Sequence, residues 1–211
     1  NPISADAGVV DAGSDDAGTP IAPNSGDITL KSAVDTAGTV LTAGSNGSYT
    51  PATSITQWWA PADATVEVKS NGSSTSIPAF DATALIGPGD VQTPKLGTTD
   101  ISIPAATPIM FDRGTALAVT YAGGTAGTKL TVNLSTTSAT KKSLISCDFD
   151  AANGAQSIAS ADLENLEQAG TGITGNYSVQ GRTVKSTTAG DFTFNVILGA
   201  TNHAGTFTNS N

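Results

Sequence analysis

The side chains that most often carry out enzymatic chemistry are scarce in this sequence of 211 residues. It contains a single cysteine, Cys147, and a single histidine, His203, which lies in a polar stretch far along the chain. A catalytic thiol or serine needs a base beside it, and His203 would have to be that base. The G-x-S-x-G motif of a serine nucleophile elbow is also missing. The sequence therefore gives no support to nucleophilic catalysis.

Paired carboxylates would offer a second route to catalysis, as in glycosidases, where two acids flank the scissile bond. The glutamates are Glu67, which lies between two valines of a predicted strand, and Glu164 and Glu167 in a predicted short helix. Charged positions on an alternating strand ordinarily form its solvent-facing side. We therefore predict that the chain is not an enzyme.

Two aspartate-containing segments are candidates for binding Ca²⁺, a hard cation that prefers oxygen ligands. One is the Asp-rich start of the chain, where binding would be weak. The other contains Asp148, Asp150 and Asn153, but it lacks the Gly and Glu positions of an EF-hand loop. That segment is more typical of a strand ending in a turn. We expect no required cofactor, with one Ca²⁺ at this turn as the alternative.

The adjacent pair Trp58 and Trp59 is the clearest candidate for contact with a ligand, in a chain with 5% aromatic residues. Successive side chains of a strand point to opposite faces, so one indole should enter the core and the other should lie outside it. An exposed indole can stack on a sugar ring or fill a pocket on a protein partner. The alternative is a structural role, in which the second ring covers a neighbouring loop.

The composition favours an extracellular β-protein over a cytosolic enzyme. Charged residues make up 13% of the chain, against about a quarter in typical domains. The formal net charge is −9 and Lys141-Lys142 is the only adjacent basic pair, so the sequence argues against nucleic-acid binding. A single cysteine excludes an intrachain disulfide, and no apolar run is long enough to span a membrane. We interpret the sequence as a mature chain whose secretion signal has been removed.

Residues 1–26 differ in composition from the remainder of the chain. The tripeptide Asp-Ala-Gly recurs in this segment, which is rich in small residues and contains neither Lys nor Arg. Such a composition is typical of a flexible tether. The alternative is a strand donated to another subunit. The residues that would form this donated strand are Ala7, Gly8, Val9 and Val10.

Residues 27–211 repeatedly show the alternation that is typical of half-buried strands. Apolar residues alternate with polar ones at Ile28 and Leu30, Val66 and Val68, Ile101 and Ile103, Leu117 to Tyr121, Leu130 to Leu134, and Phe192 to Leu198. Turn signals such as Asn71-Gly72, Gly123-Gly124 and Asn153-Gly154 separate these runs. The pattern predicts an all-β fold: an antiparallel two-sheet β-sandwich of the Ig-like or jelly-roll-like kind.

We predict that residues 27–211 form a single sandwich domain with one short helix. Ser160 is the expected N-cap of a helix over 161–168, in which Leu163 and Leu166 face inward. The prolines concentrated between residues 77 and 109 predict edge segments and long loops there. An alternative with two domains would divide the chain near Pro104–Pro108.

The segments Cys147–Leu166 and Ala116–Thr125, which follow the Asp-Ala-Gly-rich start, resemble parts of Gram-negative surface lipoproteins and adhesin-like sandwich proteins. This resemblance implies a β-sandwich located outside the cell or on the outer surface of a bacterium. It brings no catalytic residues with it. The lipid-bearing cysteine with which such lipoproteins begin does not match Asn1 of this sequence.

Two classes of function fit these observations. The first is a structural or adhesive surface protein, including a filament subunit, that assembles with its own copies or with matrix components. Assembly would use strand edges or the N-terminal segment. The second is a glycan-binding or matrix-binding module that uses Trp58 or Trp59. We favour the first class because low charge and hydroxyl-rich strands suit self-assembly.

Overall fold

The computed structural model describes residues 26–43, 49–51, 64–73, 77–103 and 107–210. Most of these residues form strands in antiparallel sheets and very few are helical, which confirms the prediction of an all-β chain. The strands are β1 (Ile28–Ser32), β2 (Thr39–Ala43), β3 (Tyr49–Pro51), β4 (Thr65–Ser70), β5 (Phe80–Ile86), β6 (Gln92–Leu96), β7 (Thr99–Asp100), β8 (Ile109–Asp112), β9 (Leu117–Ala122), β10 (Lys129–Thr137), β11 (Lys142–Asp150), β12 (Ala155–Ile158), β13 (Thr174–Ala189) and β14 (Phe192–Ser210).

The described residues divide into two compact units. The first consists of residues up to Gly87 together with Val184–Leu198, and the second consists of Pro88–Thr183 together with the residues from Gly199 onward. The long strands β13 and β14 contribute residues to both units. This division does not test the predicted single domain over 27–211, which stays a prediction.

The first unit contains a five-stranded sheet in the order β3-β2-β1-β4-β5. The predicted alternation is found in its central strands, where Ile28 and Leu30 of β1 and Val66 and Val68 of β4 are buried. Together with Leu198 and other apolar residues they form the core of this unit. A bulge in β5 shifts the register opposite β4.

The second unit contains two sheets that share one core. One sheet has the order β11-β10-β13-β14-β8, is antiparallel except for its β14–β8 pair, and curls into a half-barrel. The other has the order β12-β9-β6-β7. The core draws on both sheets, since Val119 and Tyr121 of β9 cluster with Leu130, Val132 and Leu134 of β10.

Two details of the strand prediction are wrong. Ile101 is buried but follows the two-residue strand β7, and Ile103 is exposed, so the two residues do not form an alternating strand. Pro94 lies in β6, which pairs on both sides with β9 and β7 and is therefore not an edge segment. A register shift between Gln92 and Lys95 accommodates this proline in the ladder.

The predicted helix is present but much shorter than expected. The helix α1 covers Ser160–Leu163, where the sequence predicted 161–168. Its N-cap is Ala159, which has no side-chain cap hydrogen bond, so the prediction that Ser160 caps the helix is wrong.

A local side chain explains why α1 ends early. The Nδ2 of Asn165 donates hydrogen bonds to the carbonyls of Ala161 and Asp162, each 3.2 Å away. Asn side chains compete in this way for carbonyls that a continuing helix would need. Leu163 and Leu166 are buried as predicted, although Leu166 lies beyond the helix.

Two glycines on β13 and β14 leave room for aromatic rings of the paired strand. A Cβ atom on Gly175 would come within 2.6 Å of the Phe207 carbonyl oxygen and 2.7 Å of its ring. On the same ladder, a Cβ on Gly205 would lie 2.7 Å from the Tyr177 ring. Both glycines are therefore required by close packing.

We predict that Gly175→Ala destabilises the chain by about 2 kcal/mol, because the added methyl group meets backbone as well as ring atoms that cannot both move aside. The measurement is the free energy of unfolding from urea denaturation. Gly170→Ala is the matched control, since nothing lies within 4 Å of its Cβ position. Equal stability of the two variants would contradict the packing argument.

Candidate functional site

The most prominent candidate site in the described residues is the free edge of β11. This strand has nine residues and pairs with β10 along its whole length, from Lys129 opposite Asp150 to Thr137 opposite Lys142. It is the last strand of its sheet, and in the described part of the chain no strand pairs with its other side. Edge strands of this kind present unpaired N–H and C=O groups to a partner.

The two faces of β11 differ in character. Towards the core, Ile145 is buried, and Cys147 and Phe149 are half-buried against the hydrophobic cluster. Ile145, Cys147 and Phe149 therefore share the inward face. The opposite face is exposed. Its residues are Lys142, Leu144, Ser146, Asp148 and Asp150.

Leu144 is the feature of the exposed face that sequence reasoning missed. Its side chain is 68% exposed, although its neighbours on that face are polar or charged. The sequence did contain a signal for it: in a strand with period-two alternation, Leu144 falls on the same face as the charged residues Lys142 and Asp148. A cation at one end and two carboxylates at the other make this face electrically polar along the strand.

Hydrogen bonds hold β11 at both ends. At its start, the Ser138 N–H donates to the Lys141 carbonyl at 2.9 Å, which closes the turn from β10. At its end, Asp150 Oδ1 accepts from the Ala152 N–H at 3.0 Å and caps the 3₁₀ turn Ala151–Asn153. The free edge is therefore presented by a strand whose ends are fixed.

The candidate Ca²⁺ ligands lie at this same strand end. Asp148 and Asp150 are exposed, and Asp148 Oδ1 accepts a 2.6 Å hydrogen bond from Thr131 Oγ1. Asn153 lies in the 3₁₀ turn, followed by Gly154 in the left-handed region. Within the described residues, no three His, Cys, Asp or Glu side chains are grouped in a way that could hold a metal ion. The Ca²⁺ alternative, which includes an Asn, stays a prediction.

Cys147 and His203 do not form a catalytic pair. Two strands, β10 and β13, lie between the β11 of Cys147 and the β14 of His203, a separation of about 14 Å across the sheet. His203 Nε2 is instead 3.1 Å from the Val91 carbonyl oxygen. Burial raises the pKa of the Cys147 thiol, and the nearby carboxylates of Asp162 and Asp148 raise it further. The thiol is therefore protonated at neutral pH.

The structure describes neither the four predicted assembly residues nor the two tryptophans. Ala7, Gly8, Val9 and Val10 lie outside the described residues, as do Trp58 and Trp59. Their predicted roles stay predictions. Within the described residues, no helix has the length and apolar character needed to cross a membrane.

Polar side chains hold the irregular segment 166–169 within the second unit; of these, Thr136 and Asn209 are buried and Arg113 is half-buried. Asn209 accepts from the Ala169 N–H and donates from Nδ2 to the Glu167 carbonyl at 3.1 Å. Thr136 Oγ1 accepts from the Glu167 N–H at 3.1 Å, and Arg113 donates to the Leu166 carbonyl. These side chains satisfy backbone groups of a segment that has no regular secondary structure.

Comparisons with known proteins give little further information. No protein-family model matches the sequence, and no curated protein matches it. One solved structure is similar to this chain with 18% identity and a TM-score of 0.21, and it is described as "Ca2+-stabilized adhesin helps an Antarctic bacterium reach out and bind ice". The match covers 87% of this chain and 40% of that chain. A similarity at this score supports no argument about function.

We predict that Asn209→Ala destabilises the chain by about 2 kcal/mol, because it leaves a buried N–H and a part-buried carbonyl without this hydrogen bond. The free energy of unfolding from urea denaturation measures this loss. Asn202→Ala on the same strand is the control, since that residue is exposed. A loss in the control as large as that in Asn209→Ala would contradict the proposed role of Asn209.

We also predict that iodoacetamide alkylates Cys147 about tenfold more slowly in the folded chain than in guanidinium at pH 8.5, because burial raises the thiol pKa and restricts access. The rate in the folded chain should continue to rise with pH above the range where an ordinary thiol has ionised. Mass spectrometry of quenched samples gives both rates. Similar rates in the folded and unfolded chain would show that Cys147 is a reactive thiol.

Proposed function

We propose that this chain is a non-enzymatic structural or adhesive protein of the extracellular space or the outer bacterial surface, and that it associates through the free edge of β11. The second unit then acts as a β-sandwich, with its two sheets on either side of the shared core. Filament formation is part of the same proposal. The N-terminal segment, if it is donated as a strand, would supply a second contact.

A comparison of the lengths of the edge strands supports this proposal. The described sheets have six edge strands, and β3, β7, β8 and β12 have three, two, four and four residues respectively. Very short edge strands are a common protection against unwanted pairing. Of the remaining two edges, β5 has seven residues and β11 has nine.

Side chains cover part of the edge of β5. Thr187 Oγ1 donates to the Asp81 carbonyl at 3.2 Å, and Lys185 Nζ donates to the Thr83 carbonyl. A bulge also interrupts β5, where Ala84 has a φ of 56°. Among these six edge strands, β11 is thus the one that combines length, regular register and an exposed apolar side chain.

The surface chemistry of β11 suits adhesion better than catalysis. Its exposed face has a large apolar side chain, a hydroxyl and charges of both signs, but no group with a base beside it. Backbone groups at such an edge give affinity through hydrogen bonds, while the side chains select the partner. This supports a binding function for the edge in which no covalent bond is made or broken.

We predict that Leu144→Asp reduces adhesion of beads coated with the full chain by at least about fivefold, because a carboxylate replaces the exposed apolar contact. Adhesion is measured as bead clumping and as bead retention on bacterial cells. Met110→Asp is the matched control, since Met110 is 81% exposed on the short edge strand β8. Adhesion of Leu144→Asp beads equal to wild type would overturn the proposed function.

A further inference from the structure

The charge pattern of β11 specifies a partner for its free edge. We infer that this partner is the β11 strand of a second copy of the chain, aligned antiparallel about a two-fold axis at Ile145. The inference rests on the proposed function, because it names the partner of the same edge. Such an isologous contact uses one surface patch on both copies.

In an antiparallel alignment, the positive end of each β11 strand lies against the negative end of the other. With Ile145 at the centre, Lys142 of each copy lies opposite Asp148 of the other, and Asp150 is the diagonal neighbour of Lys142. Opposite charges in directly opposed cross-strand positions stabilise a pair. The two ends of the shared ladder therefore each gain an ion pair.

A parallel, in-register alignment of the same strands would be unfavourable. It would place Lys142 beside Lys142 and Asp148 beside Asp148 of the second copy. Like charges in adjacent strands are destabilising. The sequence of exposed charges on β11 thus selects the antiparallel direction.

The centre of this alignment has an apolar side chain on each face, Leu144 on the exposed face and Ile145 on the inward face. On the exposed face, Leu144 lies opposite Ser146 and is diagonal to Leu144 of the second copy. On the inward face, Ile145 lies opposite Ile145, and the half-buried Cys147 lies opposite Ser143. In this register, inward-facing residues of one copy lie opposite inward-facing residues of the other. The new strand would therefore continue the sheet with its core face on the same side.

Single-cysteine chains test the alignment directly. In a Cys147→Ala background, full-length Leu144→Cys and Ser146→Cys chains are mixed and oxidised. Directly opposed residues have Cβ atoms close enough for a disulfide, whereas diagonal neighbours are about 7–8 Å apart. We expect the mixed disulfide to form about tenfold faster than either disulfide between identical chains. Faster disulfides between identical chains would indicate another alignment and would overturn the inference.

A charge exchange gives a second test with its own folding control. Lys142→Asp and Asp148→Lys should each weaken self-association by about tenfold in sedimentation velocity. An equimolar mixture should recover it, because each mutated position then faces an opposite charge and both variants must be folded to associate. Asp191→Lys changes the net charge equally at the β13–β14 turn and should have no effect. Failure of the mixture to recover would contradict the proposed pairing.

The two proposals fail in distinguishable ways. A full chain that stays monomeric at all concentrations, while bead retention on cells still depends on Leu144, overturns the second copy as partner and leaves the edge as a binding site. Adhesion that does not depend on Leu144 overturns the proposed function itself.

Discussion

The pairing of β10 on both of its sides is the constraint on which the second unit depends. It pairs with β11 and with β13 over nine residues each. Leu130, Val132 and Leu134 have no exposed surface, and burial of each stabilises the fold by about 2 kcal/mol. A shift of one residue would turn all three to the opposite face. The core therefore fixes the register, and the register fixes which residues β11 presents to solvent.

The edge strands of the described sheets differ in how well they are protected from pairing with another strand. Four edge strands of the described sheets are very short, and β5 has a bulge and carbonyls that accept hydrogen bonds from Lys185 and Thr187. By contrast, β11 is long, regular and fixed at both ends. A protein selected only to remain monomeric would be expected to protect this edge in the same way. Its open state is the physical reason for which we propose a binding function at this edge.

Two kinds of residue support the packing of the second unit: glycines beside aromatic rings, and a buried amide that bonds to irregular backbone. Gly175 and Gly205 leave room for aromatic rings on the ladder, and Asn209 pairs the backbone of segment 166–169. Lys141, which directly precedes β11, lies 3.8 Å from the Glu167 carboxylate of that segment. The irregular segment is thus linked to the turn that begins the candidate site.

The all-β class and most strands could be predicted from the sequence, because period-two alternation is a local signal that burial of one face enforces. The sequence did not determine the end of α1, where Asn165 competes for carbonyls, or the exposure of Ile103. It also indicated no particular edge as the site, since whether a strand has one neighbour or two depends on residues distant in the chain. Only the tertiary structure placed β11 last in its sheet, because strand order is decided by the shared core and not by any single strand.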